Sequence, residues 1–157
     1  MKNKILFAAF SLLSLAACTK SAVDTNPSGG GANVVAASTV PSATRTAFDN
    51  SFSGATGVEW QRNSSSSFTV QFNLGNQRHD ARFDDNGHQS SHSVICLDAA
   101  VPQVVLNAFR QQFSTDNVYE WKLRNDGTWK AHFMRGSVKY EATFSAAGTL
   151  IKFEQAG

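Results

Sequence analysis

The chain has 157 residues, enough for one ordinary domain or two very small ones. Hydrophobic residues make up 41%, charged residues 17%, and the 12 Phe and 3 Trp speak for a packed core rather than a disordered chain. Lys and Arg outnumber Asp and Glu by 14 to 12, but Lys2 and Lys4 lie in an N-terminal leader, so the remainder is neutral and lacks the basic excess that binding nucleic acid requires.

The first eighteen residues, MKNKILFAAFSLLSLAAC, set two lysines before a largely apolar run from Ile5 to Ala17. The run is short of the roughly 20 residues that span a bilayer, and it has the length of a signal-peptide core. Its end, Leu15-Ala16-Ala17-Cys18, resembles the bacterial lipobox. That resemblance implies cleavage before Cys18, lipid attachment at Cys18 and anchoring to a membrane of the cell envelope, periplasmic or surface-exposed. Residues 19–39 are rich in Ser, Gly, Asn and Ala and include PSGGG. They are expected to be a flexible linker with a reach of about 25 Å.

From Val40 the chain repeats itself with a shift of 61 residues and no gap. Val40-Pro41 matches Val101-Pro102, Ala47-Phe48 matches Ala108-Phe109, and Phe52 matches Phe113. Glu59-Trp60 matches Glu120-Trp121, Phe72 matches Phe133, and Ala81, Phe83 and Gly87 match Ala142, Phe144 and Gly148. These are the core and turn positions that a packed fold restricts most, so two tandem copies are predicted, 40–100 and 101–157.

Each copy opens with a helix. Pro41 and Pro102 suit the first helical position. Val101, Val105, Ala108, Phe109 and Phe113 form an apolar stripe, whereas SATRT is a poorer helix former, so the first helix is expected to be shorter or less stable. About four alternating strands follow in each copy. Val58 and Trp60, or Tyr119, Trp121 and Leu123, are expected to face the core. Asn86-Gly87 and Asp126-Gly127 mark hairpins. The predicted class is therefore α+β: one helix and then about four antiparallel strands, twice, with the helices packed on one face of the sheet. A single copy is marginal alone, so the two copies are expected to share a core.

The ordered set VP…AF…F, then V-E-W, then an aromatic-alternating strand, Gly, and a strand ending in Phe with a later Gly resembles the PepSY-like domain family. These domains are also called beta-lactamase-inhibitor-like and occur in bacterial envelope lipoproteins. The resemblance covers residues 40–157. It implies a helix-on-sheet fold, and by analogy a module that restrains an envelope hydrolase or peptidase. Its motifs are structural, so they carry fold better than activity.

No residue set specifies a reaction or a cofactor. His88 and His92 are four apart, but in a strand that spacing is roughly 13 Å, too far for one metal ion. His92 is expected to pack at a sheet edge, and His79 in the core or at its rim. Asp84-Asp85-Asn86-Gly87 reads as a hairpin turn rather than a calcium loop. Glu59 and Glu120 recur beside tryptophans and read as cross-strand partners rather than catalytic carboxylates. Cys96 is expected to be buried at a strand end rather than to act as a nucleophile.

The sheet face away from the helices remains. By alternation Gln61, Gln71, Arg82, Lys122, Lys130, His132 and Glu141 lie on it and are the candidate binding residues. Residues 40–100 carry a net −2 and residues 101–157 a net +2, which makes the pair of copies dipolar. The expectation is a non-catalytic envelope lipoprotein that binds another envelope protein. The alternative is a periplasmic peptide or small-ligand carrier using a groove between the copies.

Overall fold

The computed structural model describes residues 33–156. The leader with Cys18, and residues 19–32 of the expected linker, lie outside the described residues. In chain order the elements are β1 (Asn33–Val35), a 3-10 turn (Ala37–Thr39), α1 (Ser42–Ser51), β2 (Thr56–Ser64), β3 (Ser67–Leu74), β4 (Gln77–Asp84) and β5 (Gln89–Cys96). A second 3-10 turn (Asp98–Ala100), α2 (Gln103–Gln112), β6 (Val118–Arg124), β7 (Trp129–Arg135), β8 (Val138–Phe144) and β9 (Leu150–Gln155) follow. All nine strands form one antiparallel sheet in sequence order, and the two halves join where β5 pairs with β6.

Both helices lie on the same side of this sheet. Phe48 of α1 packs edge-on against Trp60, Phe72 and Phe83. Phe109 of α2 does the same with Trp121, Phe133 and Phe144. The core-facing rows match under the 61-residue shift: Trp60, Val70, Ala81 and His92 stand side by side on β2 to β5, as Trp121, Ala131, Ala142 and Phe153 do on β6 to β9. The buried side chains form two clusters, one under each helix, rather than the single shared core expected from size. The second cluster draws in Val94 and Cys96 from β5.

The two helices are equally long, ten residues each, so of the two expected differences the first helix does not show the shorter length. Tertiary anchoring offsets the poor propensity of SATRT. Thr44 is fully buried, and its hydroxyl donates to the Asp84 carbonyl at 2.7 Å, which fixes α1 to the end of β4. Pro41 and Pro102 occupy the N-cap rather than the first helical residue, one position earlier than expected.

Two glycines set how near the helices lie. Gly87, in the β4–β5 turn, has φ +85°, and a Cβ there would stand 2.8 Å from the Ala43 carbonyl oxygen. Gly148, in the β8–β9 turn, has φ +83°, and a Cβ would stand 2.9 Å from the Val104 carbonyl oxygen. A side chain at either site would be strained by its backbone and would also push the helix away.

Residues 33–39, expected within the linker, are structured. β1 covers the outer edge of β2 with Asn33 opposite Arg62 and Val35 opposite Trp60. β5 covers β6 in the same register, with Val94 opposite Leu123 and Cys96 opposite Trp121. The composition of this segment is linker-like. Its ordering comes from pairing with a strand edge, and backbone hydrogen bonds leave no apolar signature.

Candidate docking face

On the side away from the helices, alternate residues of each strand align into cross-strand rows. In the second half, Glu120, His132, Glu141 and Glu154 form an acidic row with one imidazole. Beside it runs a row of Lys122, Lys130, Thr143 and Lys152. The corresponding rows of the first half are Glu59, Gln71, Asp80 and Ser93, and Gln61, Thr69, Arg82 and Ser91. All seven candidate residues therefore fall on these rows. Lys122, Lys130, His132 and Glu141 come together. Gln61, Gln71 and Arg82 lie further along the same face.

The charges of the second half are linked into a ladder. The Lys122 ammonium donates to Asp80 Oδ2 at 2.6 Å and stands 3.2 Å from Glu120 Oε1. Glu120 Oε1 is 3.5 Å from His132 Nδ1, and Glu141 Oε1 is 3.6 Å from His132 Nε2. Lys130 closes the series with a short ion pair to Glu141. Lys122 and Asp80 side chains are only 13% and 15% exposed, so water screens this pair less than an ordinary surface pair.

Burial by itself would lower the Lys122 pKa, but the Asp80 and Glu120 carboxylates more than reverse it and hold the group above its usual value. His132 behaves oppositely. Burial first, then the positive charges of Lys122, Lys130 and Lys139, hold its pKa well below the usual imidazole value. The two nearby carboxylates do not rescue the charged form, because the lysines already engage them. Its buried Nε2 makes no hydrogen bond among the described residues.

In the first half the same face is largely amide and hydroxyl. Gln61 donates to Glu59 Oε1 at 2.8 Å, and Arg78 donates to Gln71 Oε1 at 3.1 Å. Arg82 is exposed. The carboxylates Asp80 and Glu120 complete the ladder. Strand alternation puts Asp80 on the same face as Gln71 and Arg82, but its reach across β5 to Lys122 depends on the pairing of the two halves, which no local pattern encodes.

Val58 and Tyr119 depart from the expected alternation. Both are turned outward, 41% and 43% exposed, because β2 and β6 each carry a register shift at this point. The Tyr119 ring stands edge-on over His132 at 6.1 Å. Burial, then the Glu120 charge, pushes the Tyr119 phenol up to about 12.

The remaining histidines are not brought together as a metal site. His88 lies in the turn before β5 and pairs with Asp84 at 3.0 Å. His92 is not at a sheet edge: β5 is an interior strand, and the ring packs on Phe52 and hydrogen-bonds His79 at 3.0 Å. Among the described residues no group of three His, Cys, Asp or Glu side chains could hold a metal ion. Asp84 accepts the Asn86 and His88 backbone N–H groups, as a turn residue does. At the β5–β6 junction a shallow hollow of about 360 Å³ is lined by Leu97, Asp98, Tyr119 and Glu120 among others. It opens to solvent and mixes acidic with apolar groups, unlike an enclosed apolar carrier site.

No family model matches the sequence, and no curated protein matches it. Solved structures do resemble it. A BLIP-like protein from Bacteroides fragilis aligns with a TM-score of 0.57 at 18% identity, covering 74% of this chain and 86% of that one. A Bacteroides eggerthii protein provisionally described as periplasmic aligns at 0.58 and 17% identity, covering 74% and 88%. A DUF2874 family protein from Bacteroides uniformis aligns at 0.58 and 20% identity, covering 73% and 88%. The fold is thus BLIP-like. The likeness does not single out PepSY domains.

Proposed function

We propose that this chain is a lipid-anchored, non-catalytic protein of the bacterial cell envelope that binds another envelope protein through the polar face of its sheet, and that the bound protein is a hydrolase or peptidase which it restrains. In this reading the chain carries two copies of one PepSY-like unit. Cys18 carries the lipid, and the signal sequence directs export. The fold shared with a protein provisionally described as periplasmic and with a BLIP-like protein agrees with this setting.

The observation that carries the reading is the ladder from Asp80 through Lys122, Glu120, His132 and Glu141 to Lys130, on a face that no helix covers among the described residues. Long side chains already held by neighbours lose little further rotamer freedom when a partner arrives, so such a face binds with a smaller entropic cost than free lysines would. Arg82 and Lys139, both exposed, flank it as adjustable charges.

The test is capture from a solubilised envelope fraction with the full chain, beside a variant carrying Arg82→Glu and Lys139→Glu. These positions are exposed, so the variant should keep its fold. A hydrolase captured by the native chain, lost by the variant, and slowed only by the native chain is the expected result. Identical capture by both proteins, or a captured enzyme whose rate is unchanged, would remove the reading.

A further inference from the structure

We propose that the outer edge of β9 is a docking site for an extended segment of a partner protein, which adds as an antiparallel tenth strand. This inference does not depend on the polar-face reading. β9 ends the nine-strand order, so its outer backbone groups face no strand among the described residues. Ile151 and Phe153 on this strand are 57% and 42% exposed, an unusual burden for a strand edge left open to water.

The chain itself shows what fits such an edge. Under the 61-residue shift β9 is the counterpart of β5, with Leu150 matching Gln89 and Gln155 matching Val94. The outer edge of β5 is occupied by β6: Ser93 lies opposite Arg124 and Ile95 opposite Lys122, and the Asn125 N–H donates to the His92 carbonyl at 3.2 Å. The other edge of this kind, that of β2, is closed by β1 in the same register. Among the described residues two outer edges remain open, that of the three-residue β1 and that of the six-residue β9, and the longer is β9.

β6 also defines the chemistry of the occupant. It turns Trp121 and Leu123 toward the core side and Lys122 toward the polar side, where Lys122 reaches back across β5 to Asp80. The counterpart of Asp80 is Glu141, and Glu154 of β9 stands next to it in register. A segment alternating large apolar with basic residues would cover Phe153 on one side and, on the other, share these carboxylates with Lys130 and Lys152, as Lys122 shares Glu120 with His132. Strand addition of this kind takes affinity from main-chain hydrogen bonds and specificity from alternate side chains.

The probe is a fluorescently labelled peptide of residues 118–125, VYEWKLRN, titrated into the full chain. Saturable binding is expected, with slowed hydrogen exchange at the amides of 151–155. A peptide with proline at two alternate positions should not bind, and one with Glu in place of its Lys should bind at least tenfold more weakly. Peptide binding should be unchanged in the Arg82→Glu protein, so failure of the polar-face reading would leave this result standing. Absence of saturable binding, equal binding by the proline peptide, or protection at β5 in place of β9 would overturn the proposal.

Discussion

Asp80 and Lys122 meet at 2.6 Å across an intervening strand, 42 residues apart in the chain. β4 and β6 lie on either side of β5, about 9–10 Å apart at ordinary strand spacing. The long lysine stem spans this gap where β5 presents the small, buried Ser93 opposite Asp80. The more acidic half and the more basic half are thereby fastened on the face opposite their cores. Lys122→Met should cost about 2–3 kcal/mol in urea unfolding, because it strands Asp80 and Glu120 in a partly dry setting. A double-mutant cycle with Asp80→Asn should give a coupling of about 1–2 kcal/mol. A coupling near zero would mean that water screens the pair after all.

Acid should weaken the fold through its histidines. Burial first, then the charge of His92, lowers the His79 pKa below the usual imidazole value of about 6.5, and burial lowers that of His92. His132 is lowered further. Each is therefore neutral in the fold at a pH where the unfolded chain already binds a proton. Stability is at its full value above about pH 6.5 and falls as pH drops below it, by up to about 1.4 kcal/mol per pH unit for each histidine still neutral in the fold. The second half carries Tyr140 and Phe153 where the first carries His79 and His92, in the same stacked arrangement. His79→Tyr with His92→Phe should flatten the profile between pH 6.5 and 5. An unchanged slope would assign the acid sensitivity elsewhere.

Gly87 and Gly148 should be far less tolerant than other turn glycines. Gly127 also has positive φ, at +78°, but a Cβ there meets nothing within 4 Å. Gly127→Ala should cost about 1 kcal/mol from the backbone alone, while Gly87→Ala and Gly148→Ala should cost about 2–3 kcal/mol, as helix displacement adds to it. Equal thermal shifts for all three would show that the helices yield freely.

The two clusters under the helices should open separately. Phe48→Ala and Phe109→Ala each remove a fully enclosed ring at about 3–5 kcal/mol. Native-state hydrogen exchange should show Phe48→Ala speeding exchange in α1 and β2 to β4 more than in β7 to β9, and Phe109→Ala the reverse. Uniform acceleration in both variants would mean one cooperative unit.

Most of the architecture was legible because the repeated residues are those that packing restricts. Phe48 and Phe109, Trp60 and Trp121, and Gly87 and Gly148 fill equivalent positions, and the alternation of β3 and β7 reads directly as burial. Val58 and Tyr119 escape the alternation because a register shift turns a strand without altering its sequence pattern. β1 leaves little trace in the sequence because its three residues are held by backbone pairing and by Val35, the one of them packed against the first core. His92 reads as an edge residue in the first copy alone, because the sheet that makes β5 interior is completed only by β6. Of the candidate face, the membership of Lys122, Lys130, His132 and Glu141 followed from alternation. Their joining to Asp80 is a property of the two halves in contact.

β5 serves both cores. Its His92 packs against Phe52 and Phe72 under α1, while its Val94 and Cys96, two and four residues on, pack under α2. A cut at Val101, where the written repeat begins again, would therefore leave the second core without part of its wall. Cutting before Val94 would strip the same residues from the strand that backs the first. The halves look interchangeable in sequence, yet they are spliced through a common beam, and neither could be lifted out and expected to stand without a replacement for it.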